Sequence, residues 1–379
     1  MMDVPRKICT RCIMDTSASD ITFDAEGRCS YCTSFLNTCG HVLAPDETER
    51  SRALAALVDQ VKRRGRGKSY DCVVGVSGGV DSSWVLVKAV ELGLRPLAVH
   101  MDNGWNSELA QNNIANLVRG LGLDLFTHVI DWTEYRSLMQ AFFDADVIDV
   151  ELLYDNAMLA VNYRQAARAG LRHILAGTNR ATEGLDMPPG WTWNKFDRRN
   201  IMSLARRNNV RVKTFPAIGT FEAAWHALVH RTKWVWFLDY LPYRKVDALA
   251  VLQRDYGYKP YPYKHYESIF TRFYQGYILP WKFGVDKRRV HLSSLIIGGE
   301  MSRDEALTMV DGIPYPSQQD LDADIAYFLK KMNWTKAQLD DYISRPGQPH
   351  DRYGSEAVMF GRAMGIFNRL RVRPSPSRR

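Results

Sequence analysis

The chain has 379 residues, of which 46% are hydrophobic and 24% charged, and its formal net charge is +8. This composition is that of a soluble globular enzyme with one large or two smaller domains. No apolar run is long enough to cross a bilayer and the start lacks the apolar core of a signal peptide, so we expect a cytoplasmic protein without membrane contact. The basic residues are spread along the chain with no RNA-recognition motif, so we do not expect nucleic acid as a partner.

Four of the six cysteines form two pairs near the start of the chain. Cys9 with Cys12 and Cys29 with Cys32 each have the spacing C-x-x-C, and sixteen residues separate the pairs. Each pair can supply two thiolates from a tight turn, and a short hairpin would bring the two turns together. The pattern predicts a structural zinc ribbon over residues 1–45, with disulfides or an iron–sulfur cluster as the alternatives.

The two remaining cysteines do not stand in the sequence context of a nucleophile. Cys39 follows the ribbon, and Cys72 opens an apolar run in which a buried, inert thiol is expected. This placement argues against a persulfide-forming sulfur transferase and against a built-in glutaminase.

Strands alternate with helices over residues 46–215. A β-branched run at residues 73–76 reads as a buried strand, and three later strands follow helical segments: PLAVHMD, DLFTHVI and RHILAGTN. The alternation predicts an α/β fold with a doubly wound, mostly parallel sheet that binds ligands at the carboxyl ends of its strands. Residues 216–379 are aromatic and basic, and we expect them to form a helical region that binds substrate and partners.

The sequence SGGVDS at residues 77–82 lies between the first strand and its helix. Its glycines let backbone N–H groups point at an anion before the helix, which predicts a phosphate cradle, although an ordinary Gly-rich turn is the alternative. It is neither the Gly-Lys-Ser/Thr loop nor GxGxxG. It resembles the signature (PP-loop) of the ATP pyrophosphatases, in which a substrate oxygen attacks the α-phosphate of ATP to give AMP and pyrophosphate. The residues expected to bind ATP here are Ser77, Gly78, Gly79, Asp81 and Ser82.

Two further loops follow predicted strands at the same edge of the sheet. The resemblance places adenine and ribose beside Asp102, where a plain βα turn is the alternative. The loop GTNRATEG is similar to the second ATP motif of this fold, so we expect Asp81 and Glu183 to bind Mg²⁺ or, alternatively, to cap helices. The residues of this loop expected to bind ATP are Gly177, Thr178 and Asn179.

The aromatic and basic region contains two notable segments. KWVWFLDYLPY, ending at Tyr243, is too short and too charged to span a bilayer, so it predicts a buried helix or a partner contact. Residues 265–296 combine His, Glu, Arg and Lys with aromatics more densely than a core helix tolerates, so we expect much of this polarity to face a site.

The ribbon, SGGVDS, GTN and the block of residues 265–296 together resemble the N-acetyl sugar amidotransferases of bacterial surface-polysaccharide (O-antigen) pathways. The resemblance implies that ATP, with Mg²⁺, adenylates the acetamido oxygen of an N-acetylated nucleotide sugar, and that ammonia displaces AMP to give an acetamidino sugar. It also implies that ammonia comes from a separate glutaminase acting with a cyclase-like barrel protein. Residues 234–243 could receive these partners, unless they are core.

On this resemblance, residues of the block gain candidate roles. Asp81 and three basic residues are expected to act in catalysis, the cations by stabilising charge on the separating phosphates: Lys282, Lys287 and Arg288. Four others are expected to bind the nucleotide sugar, or else to form a structural network or a solvated turn: His265, Glu267, Arg272 and Arg289. A tRNA-modifying enzyme of the same fold and a noncatalytic zinc-ribbon scaffold are the alternative functions.

Overall fold

The structure is a computed structural model, and it describes residues 6–43, 46–261 and 266–356. These residues contain a five-stranded sheet in the order β3-β2-β1-β4-β5, and every adjacent pair of strands is parallel. The predicted parallel α/β fold is confirmed. The strands are β1 (Cys72–Gly75), β2 (Pro96–Asp102), β3 (Leu125–Val129), β4 (His173–Ala176) and β5 (Lys233–Trp236).

Helices join and cover the strands, and the helices after β5 form the predicted helical region. In chain order they are α1 (Ser30–Leu43), α2 (Glu47–Gly65), α3 (Val80–Glu91), α4 (Glu108–Leu121), α5 (Trp132–Asp144), α6 (Leu152–Arg168), α7 (Arg180–Glu183), α8 (Arg198–Arg207), α9 (Thr220–Leu228), α10 (Lys245–Tyr256), α11 (Ile269–Phe273), α12 (Arg288–Ile297), α13 (Arg303–Val310), α14 (Gln318–Met332) and α15 (Lys336–Ser344). Phe237–Tyr240 and His350–Tyr353 are 3₁₀ turns, and Tyr274–Phe283 is a π-helical segment.

Successive residues of the central strand point into two different cores, one on each face of the sheet. Val73 packs with α5 and α6 residues, whereas Val74 packs with α2 and α3 residues. This division follows from the period of two along a strand. Because both faces are covered, β1 is apolar throughout, as expected of a buried parallel strand.

The prediction of a helix in KWVWFLDYLPY is wrong. Lys233–Trp236 forms β5, which pairs with β4, and a 3₁₀ turn follows. The alternation of Trp and Val suits a strand beside β4 better than a helix. The sheet therefore continues beyond residue 215, where the sequence suggested a boundary.

Part of this segment is core. Phe237 and Leu238 are fully buried, and Leu241 and Tyr243 nearly so, while Trp236 is partly exposed. The remaining residues of the segment are partly or fully exposed, so its use as a partner surface stays a prediction. Across the described parts of the chain, no helix has both the length and the apolar character needed to cross a membrane.

Candidate active site

The loop of residues 77–82 joins β1 to α3 at the carboxyl edge of the sheet. The Ser82 hydroxyl donates to the Gly79 carbonyl oxygen at 3.2 Å, and the Ser77 hydroxyl accepts from the Gly79 N–H at 3.3 Å. Gly79 is the N-cap of α3 and offers no side chain to cap the first turn. An uncapped helix start favours an anion, because its N–H groups and the helix dipole both present positive charge.

Gly78 is held from both sides. Its φ of 86° is left-handed, and a Cβ there would lie 2.8 Å from the Ala110 carbonyl oxygen, so only glycine fits. The hydroxyls of Tyr258 and Tyr261 donate to the Gly78 carbonyl oxygen at 2.9 and 3.0 Å. These two tyrosines fix the loop from the aromatic region, and no spacing in the sequence marks them.

A cavity of about 570 Å³ lies between this loop and the segment after β4. Gly177 approaches the loop so closely that a Cβ there would lie 2.8 Å from the Ser82 nitrogen. The structure thus brings the two predicted ATP loops together with one predicted substrate residue. The predicted site residues that line the cavity are Ser77, Gly79, Asp81, Ser82, Gly177, Thr178, Glu183 and Glu267.

The carboxylates of Asp81 and Glu183 border the same cavity. The Tyr243 hydroxyl donates to Asp81. Burial, and after it the charges of Asp81 and Glu183, raise the pKa of this hydroxyl, so both acidic groups lie near it. Two carboxylates beside a phosphate cradle are the donor set that Mg²⁺ combines with phosphate oxygens, so these residues fit a magnesium ion.

Two predicted ATP-binding side chains shape the loops instead of lining the cavity. Asp102 Oδ1 accepts from the N–H of Gly104 at 2.8 Å, in the alternative role of a βα turn. Asn179 is buried, and its Oδ1 accepts from the N–H of Thr182 at 2.9 Å and so caps α7. Asn and Asp commonly bond the backbone two or three residues onward, which explains both corrections.

Two lysines predicted to stabilise the phosphates are buried in ion pairs elsewhere. Lys282 Nζ lies 2.9 Å from Asp146 and donates to two backbone carbonyl oxygens, at 2.5 and 2.7 Å. Lys287 Nζ lies 2.8 Å from Glu151. Neither lysine lines the cavity, because a buried ammonium group must be paired and these are already paired, so the predicted phosphate contact finds no support here.

The three predicted arginines also serve the fold. Arg288 pairs with Asp286 in its own loop at 2.8 Å, and Arg289 pairs with Asp15 of the ribbon at 3.1 Å. Arg272 pairs with a carboxylate of α14 and stacks on an aromatic ring. None of the three lines the cavity, so their contacts with phosphate or sugar stay predictions without support from this geometry.

Other polar residues line the cavity in their place. Lys245 at the start of α10 and His291 of α12 were not singled out from the sequence, where one lysine among many carries no signal. Glu267 lies at the loop, with its Oε1 3.5 Å from the position that a Cβ on Gly79 would take. The predicted substrate residue His265 lies outside the described residues.

The four ribbon cysteines are buried, and their Sγ atoms all lie within 4.8 Å of one another. Cys9 and Cys32 are 3.8 Å apart at sulfur, and Cys12 and Cys29 are 3.6 Å apart. Sulfurs bound tetrahedrally to zinc at about 2.3 Å stand roughly 3.8 Å from each other. The backbone N–H of Cys29 also donates to Cys9 Sγ at 3.1 Å, which suits a thiolate. These residues fit a structural zinc ion.

The ribbon is docked on the walls of the cavity. Arg303 donates to the carbonyl oxygens of Cys9 and Cys12, at 2.9 and 3.1 Å. Phe35, on the ribbon helix α1 that carries Cys32, packs so closely on Gly184 that a Cβ there would overlap its ring. Because Gly184 directly follows Glu183, the ribbon supports the segment that carries this carboxylate.

Comparison with known proteins gives one family match. Residues 267–369 match the family described as "LPS biosynthesis protein WbpG-like, C-terminal domain". A comparison with curated proteins finds no match.

Two solved structures share low similarity with the chain. The NMN synthetase from Francisella tularensis is 14% identical, with a TM-score of 0.30 over 58% of this chain and 99% of that chain. The NH3-dependent NAD synthetase from Campylobacter jejuni is 16% identical, with a TM-score of 0.29 over 58% of this chain and 100% of that chain. Scores this low carry no argument about this chain. The family match confirms the resemblance predicted from the sequence: over residues 267–369, the chain is similar to the WbpG-like proteins of LPS biosynthesis.

Proposed function

We propose that the chain is an ATP-dependent amidotransferase that converts the acetamido group of an N-acetylated nucleotide sugar into an acetamidino group for O-antigen synthesis. The observation that carries the proposal is the uncapped start of α3, which opens into a cavity bordered by two carboxylates. The match of residues 267–369 to an LPS biosynthesis family supports the pathway. ATP and nucleotide sugars are cytoplasmic metabolites, so we place the reaction in the cytoplasm.

The loop residues would bind ATP by its pyrophosphate. The hydroxyls of Ser77 and Ser82 and the N–H groups at the start of α3 face the anion, and Lys245 supplies the nearby positive charge. Asp81 and Glu183 would hold Mg²⁺, which neutralises phosphate charge when bound. Lys245 thus takes the role that the sequence analysis assigned to Lys282, Lys287 and Arg288.

The chemistry has two steps that balance. The acetamido oxygen forms a bond to the α-phosphorus of ATP, and the bond to pyrophosphate breaks. Ammonia then forms a bond to the activated carbon, the carbon–oxygen bond breaks, and AMP leaves with the oxygen. Adenylation is needed because an amide oxygen is a poor leaving group and AMP is a good one. Glu267 at the loop is placed to hold the acetamido sugar or the incoming nitrogen.

Ammonia supply from a separate glutaminase with a cyclase-like barrel protein is part of this proposal. Two cysteines lie outside the ribbon. Burial raises the pKa of the Cys72 thiol, which makes it a poor nucleophile, and Cys39 is half-buried on α1. Free ammonia near neutral pH is mostly protonated to ammonium, which is not nucleophilic. Delivery of ammonia by a partner would avoid this loss of the nucleophile.

The test is pyrophosphate release by the purified chain with Mg²⁺, ATP and high ammonium chloride. We expect release with an N-acetylated nucleotide sugar, formation of the amidine by mass, and no product when glutamine replaces ammonium. Release with transfer RNA and not with the sugar would favour the tRNA-modifying alternative. No ATP turnover with either would favour the scaffold.

A further inference from the structure

Asn162 carries a buried oxygen that the proposed mechanism does not use. Its side chain is 2% exposed, and its Nδ2 donates to the Met158 carbonyl oxygen at 2.9 Å. That bond orients the amide and leaves Oδ1 as the acceptor. Within the described part of the chain, Oδ1 has no hydrogen-bond partner. A buried acceptor without a donor costs free energy, so such an atom calls for an explanation.

The position of Asn162 gives one. The residue belongs to α6 and lines the same cavity as Ser77, Gly79 and Ser82 of the phosphate loop. Gly75, two residues before Ser77, lacks the side chain that would fill the space beside the amide, since a Cβ there would lie 3.0 Å from Oδ1. The absent side chain leaves room for a donor to reach this oxygen from within the cavity.

The surrounding wall is apolar. The hydrophobic side chains that line the cavity on this side of the sheet belong to β2, α6, β4 and β5 and are Val99, Met101, Tyr154, Met158, Ile174 and Trp234. An apolar slot with one fixed acceptor suits a flat heteroaromatic ring that carries an N–H donor at its edge.

We infer that Asn162 is a specificity-determining residue, and that its Oδ1 accepts a hydrogen bond from the 6-amino group of the adenine base of ATP. The inference rests on the proposed function, because it takes ATP as the occupant of the cavity. It assigns the base to the slot on the α6 side and the phosphates to residues 77–82. A base without the amino group leaves the buried oxygen unsatisfied and therefore binds more weakly.

The test compares two triphosphates of nearly equal size on two proteins. Binding of ATP and of purine riboside 5′-triphosphate, which lacks the 6-amino group, is measured by calorimetry with Mg²⁺ and without sugar. We expect the natural chain to bind ATP about tenfold more tightly, as one neutral hydrogen bond provides. Asn162→Leu, which keeps the side-chain volume, should bind the two equally by losing affinity for ATP alone. Asn112→Leu, on the exposed face of α4, should keep the tenfold preference.

An unchanged preference in Asn162→Leu would overturn the inference, because it would mean that the oxygen bonds only to solvent. Should this variant fail to fold, as judged by its melting transition, Asn162→Ala replaces it with the same expectation. Equal binding of both triphosphates by the natural chain would also overturn the inference, and the proposed function would stand. Binding of neither triphosphate would instead overturn the proposed function, and the inference with it.

Discussion

The phosphate loop, residues 77–82, and the basic block, residues 282–289, use charge in opposite ways. The loop presents backbone N–H groups, hydroxyls and one carboxylate to a cavity. The block commits its basic side chains to partners inside the protein, as Lys282 does with Asp146 and Lys287 with Glu151. A cation can act on a ligand in the cavity only if it faces the cavity, as Lys245 does.

The difference has a physical cause. The loop achieves its geometry locally, since Gly78 needs a left-handed backbone and the serine hydroxyls bond within the loop. Long basic side chains reach several angstroms and are satisfied by whatever acid lies there after folding, and burial without that acid is costly. Conversely, a polar group that the fold leaves facing the cavity is the one to test for function.

The largest expected effect is the loss of turnover on changing the loop carboxylate. Asp81→Asn removes a negative charge facing the proposed magnesium position but keeps an oxygen that can accept from Tyr243. We expect pyrophosphate release to fall at least about a hundredfold, because magnesium binding depends on carboxylate charge. The melting temperature without nucleotide should change little, since the carboxylate lines a cavity and is not packed in the core.

Asp286→Asn serves as the matched control from the basic block, where the carboxylate pairs with Arg288. It should lower the melting temperature and leave the turnover of the folded fraction intact. Normal turnover in Asp81→Asn would show that the loop carboxylate has no role in the reaction, and the loop and the basic block would then not differ in function.

The ribbon extends the comparison to a site that is also defined by spacing. Cys29→Ser removes one of four buried sulfurs, and zinc content should fall from about one per chain toward none, with a large loss of stability. Because Phe35 packs on Gly184 beside Glu183, the Michaelis constant for ATP should also rise. Metal analysis, melting and kinetics on one preparation check this result.

Cys39→Ser is the control, since this thiol lies on α1 outside the cluster. It should keep full zinc content. Full retention of zinc by Cys29→Ser would contradict the assignment of the ligands.

Two lysine variants separate the regions directly. Lys282→Met should lower the free energy of unfolding by about 3 kcal/mol, because it leaves Asp146 with only its pair to Arg345. Lys245→Met should leave the free energy of unfolding nearly unchanged and lower pyrophosphate release about tenfold or more, because it removes a cation facing the cavity. Urea unfolding and steady-state kinetics of both variants measure the two quantities. If Lys282→Met lowered pyrophosphate release and Lys245→Met lowered stability, the phosphate-binding role would belong to the basic block instead.

Features set by local spacing were predictable, and features set by distant partners were not. The parallel sheet, the SGGVDS loop and the cysteine cluster follow from periodicity and from residue types at fixed intervals. The hydroxyls that donate to the Gly78 carbonyl oxygen belong to Tyr258 and Tyr261, which lie 180 and 183 residues further along the chain. Nothing in the sequence marks such pairings. The segment at residues 233–236 was misassigned because a short, mostly apolar run fits a helix or a strand equally well until its neighbour is known.

The smallest expected effect concerns His350, a paired group whose charge the fold excludes. Its side chain is 1% exposed, its Nε2 accepts from the N–H of Asp149 at 3.0 Å, and its Nδ1 lies 2.9 Å from the oxygen of Asn200. Both ring nitrogens are thus used by the neutral form. Burial lowers the pKa of His350 to about 4, with the nearby charge of Asp149 opposing the shift and that of Lys195 adding to it.

Because the folded pKa of about 4 lies below the unfolded value near 6.5, the unfolded chain binds the extra proton first as the pH falls. The stability contributed by His350 is complete above pH 6.5 and is lost as the pH falls toward 4. Between pH 7 and pH 5 the loss amounts to about 2 kcal/mol. His350→Gln should flatten this part of the stability curve. Urea unfolding at each pH measures the slopes. Equal slopes for the natural chain and His350→Gln would show that the acid sensitivity arises from another group. His173 would then be the next residue to change, because burial lowers its pKa to about 4 as well.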